Sequence, residues 1–134
     1  MLSKELIDLL REIISQIKEI QISYVFGSSL KEKTFNDIDI AVLISNTKSS
    51  YQASKFAMSL GRIIEKSLKF KWEVDVKILN YAPIYFQFSV LQEGVLLFYQ
   101  NENDRISYEK NVITDYLDFR DTLDWFDVQI IGRD

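Results

Sequence analysis

The stretch YVFGSSLKEKTFNDIDIAVLI, residues Tyr24 to Ile44, decides the fold, because one apolar run stops at Gly27-Ser28 and the next starts with Asp37-Ile38-Asp39. Ile22 to Phe26 is β-branched and aromatic and reads as a strand ended by Gly27. Ile38 to Ile44 reads as a second strand, closed by the polar run Ser45 to Ser50. Residues two apart on a strand leave the same face, so Asp37 and Asp39 stand side by side while Ile38 and Ile40 face the other way. Such paired carboxylates repel unless a cation lies between them. Gly27 allows a sharp turn and a close approach of backbone to a ligand. If a short helix begins there, the amides of Gly27, Ser28, Ser29 and Leu30 form a pocket for an anion such as phosphate.

Outward from this stretch the pattern continues. Trp72, Val74, Val76 and Ile78 alternate with Glu73, Asp75 and Lys77, the period of a half-buried strand. Asp75 leaves the face away from the core, and if this strand neighbours the one carrying Asp37 and Asp39, three carboxylates converge. Glu73 is the alternative third acid, but its place next to Trp72 at the start of the strand makes Asp75 the better choice. Leu2, Leu6, Leu9, Ile13, Ile17 and Ile20 recur at helical spacing with Ser3 as N-cap, which predicts a helix over residues 3–19. A second helix, capped by Ser49 or Ser50, carries Ala53, Phe56, Ala57, Leu60, Ile63, Ile64 and Leu68, and Gly61 weakens it slightly. Pro83 opens a third that runs to Glu93, Gly94 stops it, and Val95 to Tyr99 forms a last strand. Residues 104–131 are helical and unusually aromatic. The order α-β-β-α-β-α-β-α implies an α/β or α+β domain with about four strands in a mixed sheet, flanking helices and a C-terminal helix.

Composition narrows the chemistry. A chain of 134 residues with 47 % hydrophobic content suits one domain, with a core over residues 5–100 and a helical extension over 104–131. The net charge of −4 argues against non-specific binding to nucleic acid or to anionic membranes. With no cysteine and no histidine, disulfides, thiolate chemistry, cysteine or histidine zinc sites and imidazole catalysis are excluded. A metal held here must be held by oxygen, for which magnesium is the natural candidate. No apolar run approaches the length of a membrane span, so the expected location is the cytoplasm.

Taken singly, Asp-x-Asp on a strand and Gly-Ser in a turn are common structural features. Their order and spacing, with Glu-Val-Asp-Val later in the chain, are more specific. GSSLKEKTFNDIDIAVLI followed by WEVDVKIL resembles the minimal nucleotidyltransferases, or MNT domains, of the DNA polymerase β-like superfamily, over about residues 5 to 100. The tail, from Leu91 to Tyr99 and again at Tyr116-Leu117-Asp118-Phe119, resembles the antitoxin-type members that pair with HEPN toxins. The resemblance implies a polymerase β-like nucleotidyltransferase fold in which Gly27, Ser28 and Ser29 hold the triphosphate of ATP. It further implies that Asp37, Asp39 and Asp75 ligate Mg2+, with Asp75 helping to activate the attacking hydroxyl, and that AMP moves from ATP to a tyrosine of a HEPN-type toxin. Relatives usually carry a second glycine and a basic residue after Gly-Ser. Here Ser29-Leu30-Lys31-Glu32-Lys33 follows, so Lys31 or Lys33 would supply the charge, and Asn36 stands where serine is usual. The alternatives are an MNT-fold protein that neutralises its partner by binding alone and, less well supported for so short a chain, a small-molecule nucleotidyltransferase.

Tyr108, Val112, Tyr116, Phe119, Leu123, Phe126 and Ile130 share one helical face, which is expected first as core. Tyr116, Phe119 and Trp125 do not fit one narrow stripe, so residues 105–131 are also expected to meet a helical toxin or a second copy of the chain. Lys66 to Lys71 reads as solvated surface.

Overall fold

A computed structural model describes residues 1–45 and 48–131, with side chains described to residue 129. Helix α1 is Lys4–Ser15, strand β1 is Ile20–Phe26, β2 is Asp37–Ile44 and helix α2 is Ser50–Ser67. Then follow β3, Glu73–Ile78, α3, Ile84–Glu93, β4, Val95–Tyr99, and the long α4, Glu102–Phe126. The chain forms the α+β architecture expected, with four strands in one mixed sheet ordered β3-β2-β1-β4. β1 runs antiparallel to both β2 and β4, and β2 runs parallel to β3 with Asp37 opposite Glu73 and Asp39 opposite Asp75.

The two faces of the sheet bury different layers. Ile38, Ile40, Val42 and Ile44 of β2 pack with Val76 of β3 against Leu10 and Ile14 of α1 and Leu60 and Ile64 of α2. On the other face Ile22, Tyr24 and Ala41 pack against Val90 and Phe86 of α3 and Tyr108 of α4. The alternation in β2 and β3 thus sends Asp37, Asp39, Asp75 and Lys77 to the face that carries α3 and α4. That face is left open at β3.

Local chemistry explains the element ends. Ser3 accepts from the Leu6 amide at 3.2 Å and caps α1. Ser49 caps α2 in a reciprocal box, its hydroxyl accepting from the Gln52 amide at 3.2 Å while Gln52 accepts from the Ser49 amide at 3.0 Å. Pro83 is the residue before the first turn of α3, and Gly94 follows its end. Gly61 has a packing reason, because a Cβ there would meet the Val74 carbonyl oxygen at 3.0 Å, tighter than ordinary van der Waals contact.

Several expectations are corrected. Helix α1 ends at Ser15 rather than at residue 19, because Ile17 belongs to the turn and Ile20 to β1, although both continue the helical spacing. β1 begins two residues earlier than expected and α4 begins at Glu102, capped by Asn101, whose side chain accepts from the Asp104 amide at 2.9 Å. The last helix is α-helical only to Phe126 and then widens into a π-helical turn over Asp127–Ile131. Ile63, counted among the apolar positions of α2, is exposed. The aromatic face of α4 is core only in its first half. Val112 is buried and Tyr108 packs on the sheet, but Phe119, Leu123, Trp125 and Phe126 are exposed, because α3 is too short to cover them. The side chain of Ile130 and residues Asn46 and Thr47 of the polar run lie outside the described residues.

Candidate active site

The end of β1 and the start of β2 lie side by side, Phe26 opposite Asp39, so the glycine turn and the acid pair meet. Gly27 has φ +84°, a conformation that side-chain-bearing residues rarely adopt, and a Cβ there would collide with the Asp39 carboxylate oxygen Oδ2. The missing side chain thus leaves room directly beside Asp39. Ser28–Leu30 forms a short 3-10 turn, the helical start on which the anion pocket was conditional. The Leu30 amide is consumed within that turn, donating to Gly27 O at 3.2 Å, which corrects its place in the anion pocket. Among the described residues no backbone carbonyl outside regular elements accepts from the amides of Ser28 and Ser29. Ser29 is fully buried, backbone and side chain alike, and its hydroxyl has no hydrogen-bond partner among the described residues, so of the two serines only Ser28 is open to a ligand.

Asp37, Asp39 and Asp75 line one open cavity of about 1020 Å³, together with Glu65 and Glu73. Asp39 is half-buried between its neighbours, whereas Asp37 and Asp75 are exposed. Burial, then the charges of Asp75 and Asp37, push the Asp39 carboxyl above its ordinary value, against the pull of Lys77. Glu73 stands opposite Asp37 and Asp75 stands opposite Asp39, so the inner acid has Asp75 as its cross-strand neighbour. Stacked rings of Phe35 and Trp72, with centroids 5.8 Å apart, hold the entry to β2 against the entry to β3.

Lys31 and Lys33, expected to supply positive charge to the triphosphate, do not line the acid cavity. Lys31 Nζ lies 3.6 Å from Glu93 instead. Lys71 lines the acid cavity, and Lys77 Nζ lies 3.4 Å from Asp75 Oδ2. The position of Lys77 was legible, since Glu73, Asp75 and Lys77 share one strand face. Glu65, which accepts from the Val74 amide at 2.8 Å, carried no sequence signal because its partner lies on another element.

The donor set suits a hard cation, being entirely oxygen, with an inner carboxylate crowded by two others and space beside it at Gly27. Among the described residues no three acids are already gathered at ligand spacing. Asp75 is turned toward Lys77, and ligation would have to release it from that pair.

Away from Asp75 the same face continues into aromatic surface. Lys77, Tyr81, Tyr85 and Phe86 line a shallow hollow of about 330 Å³, and Tyr85 borders a second with Tyr116, Phe119 and Leu123 of α4. Tyr116 stacks on Phe88 with centroids 3.9 Å apart, which ties α4 to α3 just before the helix runs into solvent.

The family described as polymerase beta, nucleotidyltransferase matches residues 8–103. Among solved structures, the chain is similar to one in the complex of a tri-AMPylated Shewanella oneidensis HEPN toxin with MNT antitoxin. That likeness has a TM-score of 0.68 at 21 % identity, covering 96 % of this chain and 99 % of the other. A toxin-antitoxin structure with AMP-PNP matches with a TM-score of 0.68 at 22 % identity, covering 92 % and 96 % of the two chains. At these identities the likeness speaks for the fold. No curated protein matches the sequence. Among the described residues no helix is long and apolar enough to cross a membrane.

Proposed function

The chain belongs to the polymerase beta nucleotidyltransferase family, and on that premise we propose that it is an MNT-type antitoxin that transfers AMP from ATP to a tyrosine hydroxyl of a HEPN-type toxin. The observation that carries this reading is the meeting of Asp37, Asp39 and Asp75 in one cavity beside the space left by Gly27. The solved relatives support the partner and the nucleotide, since one is a complex with a tri-AMPylated HEPN toxin and another holds AMP-PNP.

In this reading the turn after Gly27 holds the triphosphate at the end of β1, with the Ser28 amide and hydroxyl facing it and buried Ser29 supporting the turn from beneath. Asp37, Asp39 and Asp75 hold magnesium. A bound magnesium ion supplies charge neutralisation for the attacking and leaving oxygens of an in-line displacement. Asp75, released from Lys77, orients the tyrosine hydroxyl and takes its proton. The tyrosine oxygen bonds to the α-phosphorus, the bond from that phosphorus to the bridging oxygen breaks, and pyrophosphate leaves. Lys71, which lines the cavity, and Lys77, freed in turn from Asp75, serve as counter-charges to phosphate. The exposed end of α4, continuous with the aromatic surface below Lys77, is assigned to the body of the toxin. The absence of cysteine suits a protein of the reducing cytoplasm.

A second reading keeps the fold for binding alone. It is favoured by the Leu30 amide, which is spent inside the turn where a phosphate would need it. Incubation of the full chain with a HEPN-type toxin, ATP and magnesium separates the two. An increase in toxin mass by AMP units is expected for the wild type, and Asp39→Asn should slow it about 100-fold or more, as loss of a group stabilising transition-state charge does. Protection of cells from the toxin that survives Asp39→Asn unchanged would favour the binder.

A further inference from the structure

β3 is an outer strand of the sheet, and its free edge is closed at one point and open beyond it. The Glu73 amide donates to Asn36 O at 3.1 Å, so the backbone groups of Glu73, Asp75 and Lys77 turn toward β2. By alternation those of Val74, Val76 and Ile78 turn outward. The Val74 amide is taken by Glu65 Oε2 at 2.8 Å, and Gly61 lies against the Val74 carbonyl. Among the described residues no side chain or turn carbonyl accepts from the outward amides of Val76 and Ile78. A groove of about 530 Å³ runs between these residues and Ala53, Ala57 and Met58 of α2. Glu65, Val74 and Asp75 line both this groove and the acid cavity, so the groove leads into the site.

We propose that the open edge of β3 docks the acceptor, an extended segment of the toxin that adds as a strand along Val76 and Ile78 and delivers its hydroxyl to Asp75. The proposal rests on the transferase reading and specifies how its substrate enters. Three observations select this occupant. Outward N–H and C=O groups at strand spacing match an extended main chain, and the small residues Ala53, Ala57 and Gly61 of α2 leave space for it, with Arg62 and Glu65 also lining the groove. A side chain opposite Asp75 on an added strand lies about 5 Å away between Cβ atoms, on the face that carries Asp39. The closure at Val74 ends the pairing there, so the acceptor residue stands at the end of the paired segment, beside a chain terminus or turn. A second copy of this chain paired edge to edge brings no acceptor, because Glu73–Ile78 contains no hydroxyl side chain.

The experiment uses the full chain, a HEPN-type toxin and ATP with magnesium. Val76→Pro removes one outward amide and leaves the inward ladder in place, as proline is tolerated on an edge strand. AMP transfer by this variant should show a KM for toxin raised about tenfold or more, the loss of one or two main-chain hydrogen bonds, with kcat little changed. An unchanged KM in a folded variant overturns the proposal. Amide hydrogen exchange on the wild type gives the second reading, with slowed exchange at Val76 and Ile78 expected on adding toxin. Absence of that slowing also overturns the proposal, as does slowing produced by raising the concentration of this chain alone. If the wild type transfers no AMP yet toxin slows exchange at both amides, the docking edge stands and the transferase reading falls.

Discussion

Asp39 is half-buried, has Asp75 across the strand and Asp37 two residues away, and its carboxyl is pushed up by burial first and by those charges second. A carboxylate whose pKa is higher in the folded than in the unfolded chain binds a proton more readily when folded. It therefore costs stability once pH exceeds the raised folded value, and that cost fades as pH falls toward the ordinary value of 3.8. Asp39→Asn is thus expected to raise Tm of the ligand-free protein at pH 7 to 8, with the gain disappearing near pH 4. Thermal melts of both proteins across that range check it, and a variant less stable than wild type at pH 7 would contradict the origin of the shift. In the proposed function a bound cation would relieve this cost. The pair Asp37 and Asp39 was legible because strand alternation is strict. The direction of Asp75 was legible too, but its pairing with Lys77 was not, because an ion pair on one strand face depends on rotamers that spacing does not fix.

The strands were read from sequence nearly to the residue, since Val74, Val76 and Ile78 or Ile38 and Ile40 leave no choice of face. Helices were read less well at their ends. No glycine or proline marks the stop of α1 after Ser15, and Ile17 and Ile20 prolong its apolar period into a turn and a strand. The same ambiguity arises on α4, where one periodic face has two fates. Tyr108 meets the sheet and Val112 is buried, whereas Phe119, Leu123 and Phe126 extend past the last turn of α3, which ends at Glu93. Periodicity reports that a face is apolar, and only the length of the neighbouring helix decides what covers it. In the proposed function the uncovered part meets the toxin. Trp125 and Phe126 are exposed, their rings edge to face with centroids 5.2 Å apart, and neither belongs to a core cluster among the described residues. Replacing both with serine should therefore abolish co-purification with a HEPN-type toxin while leaving the melting curve of the free protein in place. Retained association would move the interface elsewhere, and an unfolded variant would return the pair to the core.

Across the molecule, the order β3-β2-β1-β4 brings together groups that are far apart in sequence. A run of strands and helices does not state which strands are neighbours, so the convergence of Asp75 with Asp37 and Asp39 was conditional until β3 was found parallel to β2. The other end of the molecule is fastened by a polar cluster equally invisible in the sequence. Buried Tyr24 donates to Glu109 Oε2 at 2.6 Å, and Arg105 Nη1 holds the other carboxylate oxygen at 2.9 Å. The cluster fixes the first half of α4 to β1, and α4 carries the aromatic surface that continues from the acid cavity. The acids and the aromatic surface thus share one face of one sheet, with the docking groove along its β3 edge, and in the proposed function that face binds nucleotide through its carboxylates. Calorimetric titration of ATP, with and without magnesium, into the wild type and Asp39→Asn tests that claim most directly. Binding by the wild type that requires magnesium and is lost in the variant is the expected result. Binding that is equal in the two proteins, or absent from both, would contradict it.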